Sequence, residues 1–145
     1  MTQRDIDAAS IDFCQSVGLL VRKARSVAVS DELSWTEMAV LRRLSVDGPA
    51  TTAELARVQG MKPQSMRMIV AELEQLGMVE RRPHPTDWRQ VNLELTAKGT
   101  AAQKLARDAK RTWVAHAIAR LPREEQETLF AAGGIIRKLL EDERP

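Results

Sequence analysis

The run Pro63-Gln64-Ser65-Met66-Arg67-Met68-Ile69-Val70-Ala71-Glu72-Leu73-Glu74-Gln75-Leu76-Gly77 restricts the fold more than any other stretch. Met66, Ile69, Val70, Leu73 and Leu76 recur at spacings of three and four, which predicts a helix with one apolar face. Pro63 suits the first helical position, where its missing N–H costs nothing, and Gly77 suits the left-handed residue that ends a helix. The opposite face of the first turn carries Gln64, Ser65 and Arg67. Their side chains can donate to or accept from base edges, and Arg67 can also grip a phosphate. Lys62 and Pro63, at the mouth of the helix, join this candidate set.

The flanking residues give that helix its setting. Upstream, Thr51-Thr52-Ala53-Glu54 reads as a capping box opening a short helix, Ala53 to Val58, with Leu55 and Ala56 turned inward. Gln59-Gly60-Met61-Lys62 is a tight connection, and short helix, Gly-containing turn, longer helix is the helix-turn-helix pattern. Downstream, Met78 to Arg82 and Val91 to Thr96 read as two strands. The second alternates, with Val91, Leu93 and Leu95 inward and Asn92 and Glu94 outward. The polar, Pro-broken run Pro83 to Gln90 between them reads as a hairpin loop. The expected fold is mostly α with a small antiparallel β-wing, a winged helix-turn-helix over residues 34–96.

The residues Glu54-Leu55-Ala56, Leu73 through Arg81, Asp87-Trp88-Arg89 and Leu93-Glu94-Leu95-Thr96-Ala97-Lys98-Gly99 together resemble the MarR family of bacterial transcription regulators. The most specific part is an Asp-x-Arg wing, here Asp87 and Arg89, followed by a strand ending in Leu-Thr-x-x-Gly. The resemblance spans nearly the whole chain. It implies a homodimer joined through the helices at 1–29 and 97–145, reading a palindromic operator in double-stranded DNA. In that picture Arg89 enters the minor groove and Asp87 orients it through a bidentate pair without touching DNA. Of Arg81 and Arg82, one is expected on a phosphate and one on the surface. Trp88 is expected to pack against Pro83 or Pro85 in preference to sugar-phosphate. The family's small aromatic effectors make Trp35, Trp113 and His116 candidates for lining a pocket, with core packing as the ordinary alternative.

Outside this region the chain reads as helices. Residues 5 to 29 predict the first, with Ile6, Ala9, Phe13, Val17, Leu20, Ala24 and Val27 on one face, followed by a loop at Ser30-Asp31-Glu32-Leu33. Ser34 and Glu37 form a capping box for Trp35 to Ser45, which buries Met38, Leu41 and Leu44. Thr96 caps a long helix from Ala97 to Arg120, with Ala102, Leu105, Ala109, Trp113 and Ala117 inward. Leu121-Pro122 breaks it, and a last helix runs to Glu141. Its apolar side, like that of the first, exceeds what a lone small domain can cover. Gly133-Gly134 implies either a kink there or the close approach of a partner backbone.

Composition narrows the function by exclusion. A net charge of +2 is too small to argue nucleic-acid binding by itself, so the local bias around Arg57, Lys62, Arg67, Arg81, Arg82 and Arg89 must carry it. Cys14 is the sole cysteine, which excludes an intrachain disulfide and a multi-cysteine metal site. With no tyrosine to hold a thiolate and no cationic neighbours, it reads as a small core or interface residue. His84 and His116 have no nucleophile partner, so no catalytic constellation, metal site or cofactor is expected. No signal peptide or membrane span is expected either, which fits a cytoplasmic protein. The reading is a DNA-binding regulator, more in keeping with a repressor, that is released by a small effector. Its rival is a dimeric winged-helix scaffold that binds protein, suggested by the low net charge and by Glu72 and Glu74.

Overall fold

Thr2, Ser34 and Thr51 each open a helix through a reciprocal capping box, the side-chain oxygen accepting the N–H three residues on while that residue's carboxylate accepts the cap's own N–H. The computed structural model describes residues 1–29 and 32–141. Its element order is α1 (Gln3–Ser26), α2 (Trp35–Asp47), α3 (Thr52–Val58), α4 (Pro63–Gln75), β1 (Val79–Pro83), β2 (Val91–Leu95), α5 (Ala97–Ala119) and α6 (Arg123–Glu141). Two units are distinguished, residues 1–110 and 111–145. The first contains α1 to α4, the wing and the first part of α5. The second contains the end of α5 and the α6 helix.

Leu41, Leu55, Met66, Val70, Leu73 and Leu93 form the fully buried centre of the first unit. They come from α2, α3, α4 and β2, so the aliphatic stripe of α4 is the surface on which the lobe assembles. Strands β1 and β2 pair antiparallel with Arg81 opposite Leu93. A further bridge joins Leu93 to Ala50, whose carbonyl accepts the Leu93 N–H at 2.8 Å.

The end of α4 is closed by residues from beyond the wing. Gly77 holds φ +71°, the left-handed conformation that terminates a helix and that a Cβ would strain. The chain-terminal carbonyls of α4 then need donors. Lys98 Nζ donates to the Leu76 carbonyl at 2.8 Å, Thr96 Oγ1 donates to that of Gly77, and the Thr96 N–H donates to that of Met78 at 3.1 Å. Thr96 Oγ1 also accepts the Gly99 N–H at 3.1 Å, which caps α5. Gly99 lies so close to Met78 that a Cβ there would collide with the Met78 carbonyl oxygen and sit 3.3 Å from Leu95 Cδ2. The Thr-x-x-Gly spacing is therefore a packing device.

Several expectations need correction. The first helix spans Gln3–Ser26, because Asp5 completes a capping box with Thr2. None of its residues is buried, so the face of Ile6, Phe13 and Leu20 is not covered within the chain. Of the loop expected at Ser30 to Leu33, Ser30 and Asp31 lie outside the described residues, and Leu33 is buried. The first wing strand is shifted by one residue, the second ends one residue early at Leu95, and Val91 is exposed where an inward side chain was expected. Along α5 the inward line is Gly99, Gln103 and Ala106, whereas Leu105 is 73% exposed. The close approach at Gly99 sets that rotation, and Ala102 follows it onto the core. Cys14 is exposed, which removes the core option. Helix α6 continues through Gly133-Gly134 without a break.

Gly99→Ala should lower stability by about 1–3 kcal/mol, the usual range for overpacking, because backbone and not a flexible side chain stands in the way. A thermal melt is the check; an unchanged melting temperature would show that the α5–Met78 approach relaxes freely.

Candidate nucleic-acid interface

Helix α4 has one face turned away from the core. Its core side is Met66, Val70 and Leu73, all buried, while Gln64, Ser65, Arg67 and Met68 are exposed. Unlike α1, α2 and α3, it starts without a side-chain cap: Lys62 is the N-cap residue and Pro63 follows. No acidic residue lies in its first turn. Free N–H groups at the positive end of a helix dipole suit an anion such as a phosphate. Lys62, Pro63, Gln64, Ser65 and Arg67 are therefore brought to one end and side of one helix.

The wing is stiffened by its own polar groups. His84 Nδ1 accepts the N–H groups of Thr86 at 3.2 Å and Asp87 at 3.1 Å, so the ring proton is assigned to Nε2. The Gln90 N–H donates to the Asp87 carbonyl at 3.0 Å. Asp87 Oδ1 then accepts both the Arg89 N–H and Arg89 Nε, each at 3.1 Å. The tether joins Arg89 to Asp87 as expected, but through one carboxylate oxygen and the backbone instead of a bidentate fork. The Arg89 side-chain bond, then its N–H, lowers the Asp87 pKa. A depressed carboxylate pKa means the tether holds at neutral and mildly acidic pH and is lost only below the ordinary carboxylate range. Trp88, expected to pack on Pro83 or Pro85, is 89% exposed. With the backbone on either side fixed, the tip turns this side chain outward.

Arg81 and Arg82 are engaged by carboxylates. Arg81 shares the strand face of Val79 and Leu93 and reaches back to α4, where Nε and a terminal nitrogen donate to Glu74 Oε1 at 3.0 and 2.9 Å. Arg82, on the other face, donates to Glu80 at 2.8 Å and lies 4.0 Å from Glu94. Both guanidiniums are further stabilised in their charged form, Arg81 chiefly by Glu74 and Arg82 chiefly by Glu80. The second acid of α4, Glu72, has its pKa raised, first by a hydrogen bond with Glu37 of α2. Glu74 is held in an ion pair, whereas Glu72 stays exposed. Sequence spacing gave no sign of the Arg81–Glu74 pair, which forms only because the chain reverses at Gly77.

A cavity of about 650 Å³ opens between α1, α2 and α5 within the first unit. Val21, Ala24, Trp35, Met38 and Ala106 supply an apolar wall, and Arg25, Arg42, Arg43, Arg107 and Lys110 supply cations, with no acid among the described lining residues. The Arg25 guanidinium lies 4.0 Å from the Trp35 ring centroid, a cation–π stack. Burial, then Arg42 and Arg25, lowers the Lys110 pKa, so cationic charge is crowded at this wall, although Arg43 pairs with Asp47 and Arg107 lies 4.0 Å from Asp108. Of the three residues expected to line a pocket, Trp35 does so. Trp113 and His116 are not among its lining residues. The cations were missed because they come from three separated helices.

Comparison with known proteins places this arrangement. A family model described as "MarR family" matches residues 33–91. An uncharacterized helix-turn-helix transcriptional regulator of Mycobacterium bovis, Mb0904, is 34% identical over 145 residues, all of both chains. A transcriptional repressor of the same organism, Mb2911, is 35% identical over 76% of this chain and 80% of its own. Among solved structures, a putative transcriptional regulator of Pseudomonas aeruginosa superposes with a TM-score of 0.80 at 25% identity, covering 97% and 98% of the two chains. A mutant of Staphylococcus aureus MepR bound to an oligodeoxyribonucleotide shares the fold, with a TM-score of 0.68 at 17% identity over 94% and 98% of the chains. The chain belongs to the MarR family of winged helix-turn-helix proteins. It is a DNA-binding transcriptional regulator, not an enzyme.

Trp88 contributes no packing, so Trp88→Ala should leave stability within about 0.5 kcal/mol of wild type, as for an ordinary surface change. A clear drop in melting temperature would mean that the indole is sequestered in solution.

Proposed function

We propose that this regulator is a homodimer that binds a palindromic operator, represses from it, and is released by a small anionic effector with an apolar body. Residues 34–96 form the DNA-binding lobe, and the helices at 1–29 and 97–145 join two copies. The observation that carries the reading is the outward face of α4, uncapped and free of acid at its start, beside a wing whose Arg89 is tethered by Asp87. The two copies of α4 would enter successive major grooves, about 34–36 Å apart. Lys62, Pro63, Gln64, Ser65 and Arg67 act there, Gln64 and Arg67 on base edges. Arg89 enters the minor groove, Asp87 holds it, and Trp88 lies along the sugar-phosphate wall. Arg82, and Arg81 where Glu74 leaves it exposed, face the flanking phosphates.

Helices α1 and α6 support the dimer: Ile11, Phe13 and Leu19 on one, and Phe130, Ile135 and Leu139 on the other, are all exposed in the single chain. Apolar surface on this scale seeks a partner. The cavity between α1, α2 and α5 is the effector site, with Arg25 and Lys110 meeting the anion and Trp35 its apolar body. No helix among the described residues is long and apolar enough to cross a membrane, in keeping with action on DNA in the cytoplasm. The rival, a protein-binding scaffold, drew on Glu72 and Glu74. The pairing of Glu74 with Arg81 weakens that support, while Glu72 stays exposed.

The test is fluorescence anisotropy on a duplex enriched by the wild type from a random library, at two salt concentrations. Arg67→Ala should lose about 1–3 kcal/mol and relax base preference at one position per half-site. Arg89→Ala should weaken binding and flatten the salt dependence, since a cation leaves the groove. Salt-independent binding, or variants that bind like wild type, would overturn the reading. A sedimentation measurement giving the mass of one chain would overturn the dimer.

A further inference from the structure

We infer that Met68, with Ala71 beside it, reads the 5-methyl group of a thymine in the operator. The inference rests on the proposed docking of α4 in the major groove and assigns a base to it. Met68 was not among the candidate residues read from the sequence, because it belongs neither to the apolar stripe nor to the polar set. It is nonetheless 67% exposed. At roughly 100° per residue it stands about 200° around the axis from the fully buried Met66, which places it almost opposite the core. Gln64, Met68, Ala71 and Gln75 follow one another at spacings of four, three and four, and all four are exposed. The ridge that points most directly away from the core is thus polar at its ends and apolar in the middle.

Chemistry selects the occupant. In the major groove the thymine edge alone among the four bases presents a methyl group, and apolar side chains are what contact it. Methionine is unbranched and polarizable, so it can lie over a methyl without a fixed fit. Ala71, one turn on, is small enough to let the helix approach the groove floor. The apolar strip is two residues wide and is bounded by Gln64, Gln75, Arg67 and Glu72. A stable protein partner buries about 800 Å² on each side, far more than such a strip offers. A single methyl group is of the right size, and the strip continues directly into the residues proposed to contact bases.

Uracil differs from thymine only by that methyl, which makes the test direct. Each thymine of the enriched half-site is replaced in turn by deoxyuridine, and the duplexes are titrated with wild type, Met68→Ala and Met68→Leu. One position per half-site should weaken wild type about fourfold, the equivalent of one methyl-sized group left in water. Met68→Leu should keep that penalty and Met68→Ala should lose most of it. Both variants change an exposed side chain, and unchanged thermal melts would confirm that they fold. Uracil tolerated everywhere by wild type, or a full penalty retained by Met68→Ala, overturns the inference while leaving the DNA-binding mode intact, since the enriched sequence supports that mode. Failure of wild type to enrich any sequence overturns both.

Discussion

The placement of α4 depends on one close approach, that of Gly99 to the Met78 carbonyl. A helix that ends at Gln75 leaves carbonyls with no partner inside the helix, and an unmet acceptor near a core is costly. Here the donors come from Thr96 and Lys98, about twenty residues further along the chain and on the far side of the wing. The first turn of α5 can reach them only because Gly99 has no Cβ. Helix α4, the two strands and the start of α5 are consequently one mechanical piece. The wing arginine and the exposed face of α4 keep a fixed relation because the same few hydrogen bonds close both.

Charge within that piece is arranged against expectation from the totals. A net of +2 over 145 residues gives no field worth the name. Locally, one of the two acids of α4, Glu74, is held by a cation. Arg81 donates twice to Glu74 across the Gly77 reversal, while Glu72 is exposed, its pKa raised first by a hydrogen bond with Glu37 of α2. The first turn of α4 carries no acid at all. A negative charge that would repel a phosphate backbone is thereby paired at Glu74, whereas Arg67 and Arg89 are exposed. A modest excess of cations is sufficient once Glu74 is held in this way.

The capping boxes at Ser34 and Thr51 and the stripe of α4 were legible because each is a short-range pattern with one geometric solution; the alternation of β2 held only at Leu93, since Val91 at the strand end is exposed. The box at Thr2 was not, since its third residue is Asp5 and not the Glu or Gln of the usual signature. Periodicity put Leu105 inward; the structure turns it out, because a glycine contact and not apolarity fixes the rotation of α5. Trp88 was assigned to packing on the general habit of large aromatics, which an outward-turned wing tip overrides. Asp87, Arg89 and the first turn of α4 were found from motif and face. Met68 was overlooked because an exposed methionine breaks no rule until its neighbours on the same ridge are known. The cations around the cavity could not be grouped from sequence, since three helices separated along the chain bring them together.

The same first-unit connections suggest how the cavity can influence α4. Its lining includes Gln103, Ala106, Arg107 and Lys110, which follow Gly99 along α5, and Ser45 of α2, whose hydroxyl donates to Gln103 Oε1 at 3.4 Å. In the proposed function, an anion drawn in by Arg25 and Lys110 would act on residues that are continuous, through one helix, with the clamp on Leu76, Gly77 and Met78. A shift of α5 along its own axis cannot be absorbed at Gly99, where there is no slack, so it passes to the end of α4. An effector of the proposed kind would then need no contact with the DNA-facing residues. It needs only to bind one position of α5 more tightly than another, which is the condition for a ligand to shift a conformational equilibrium.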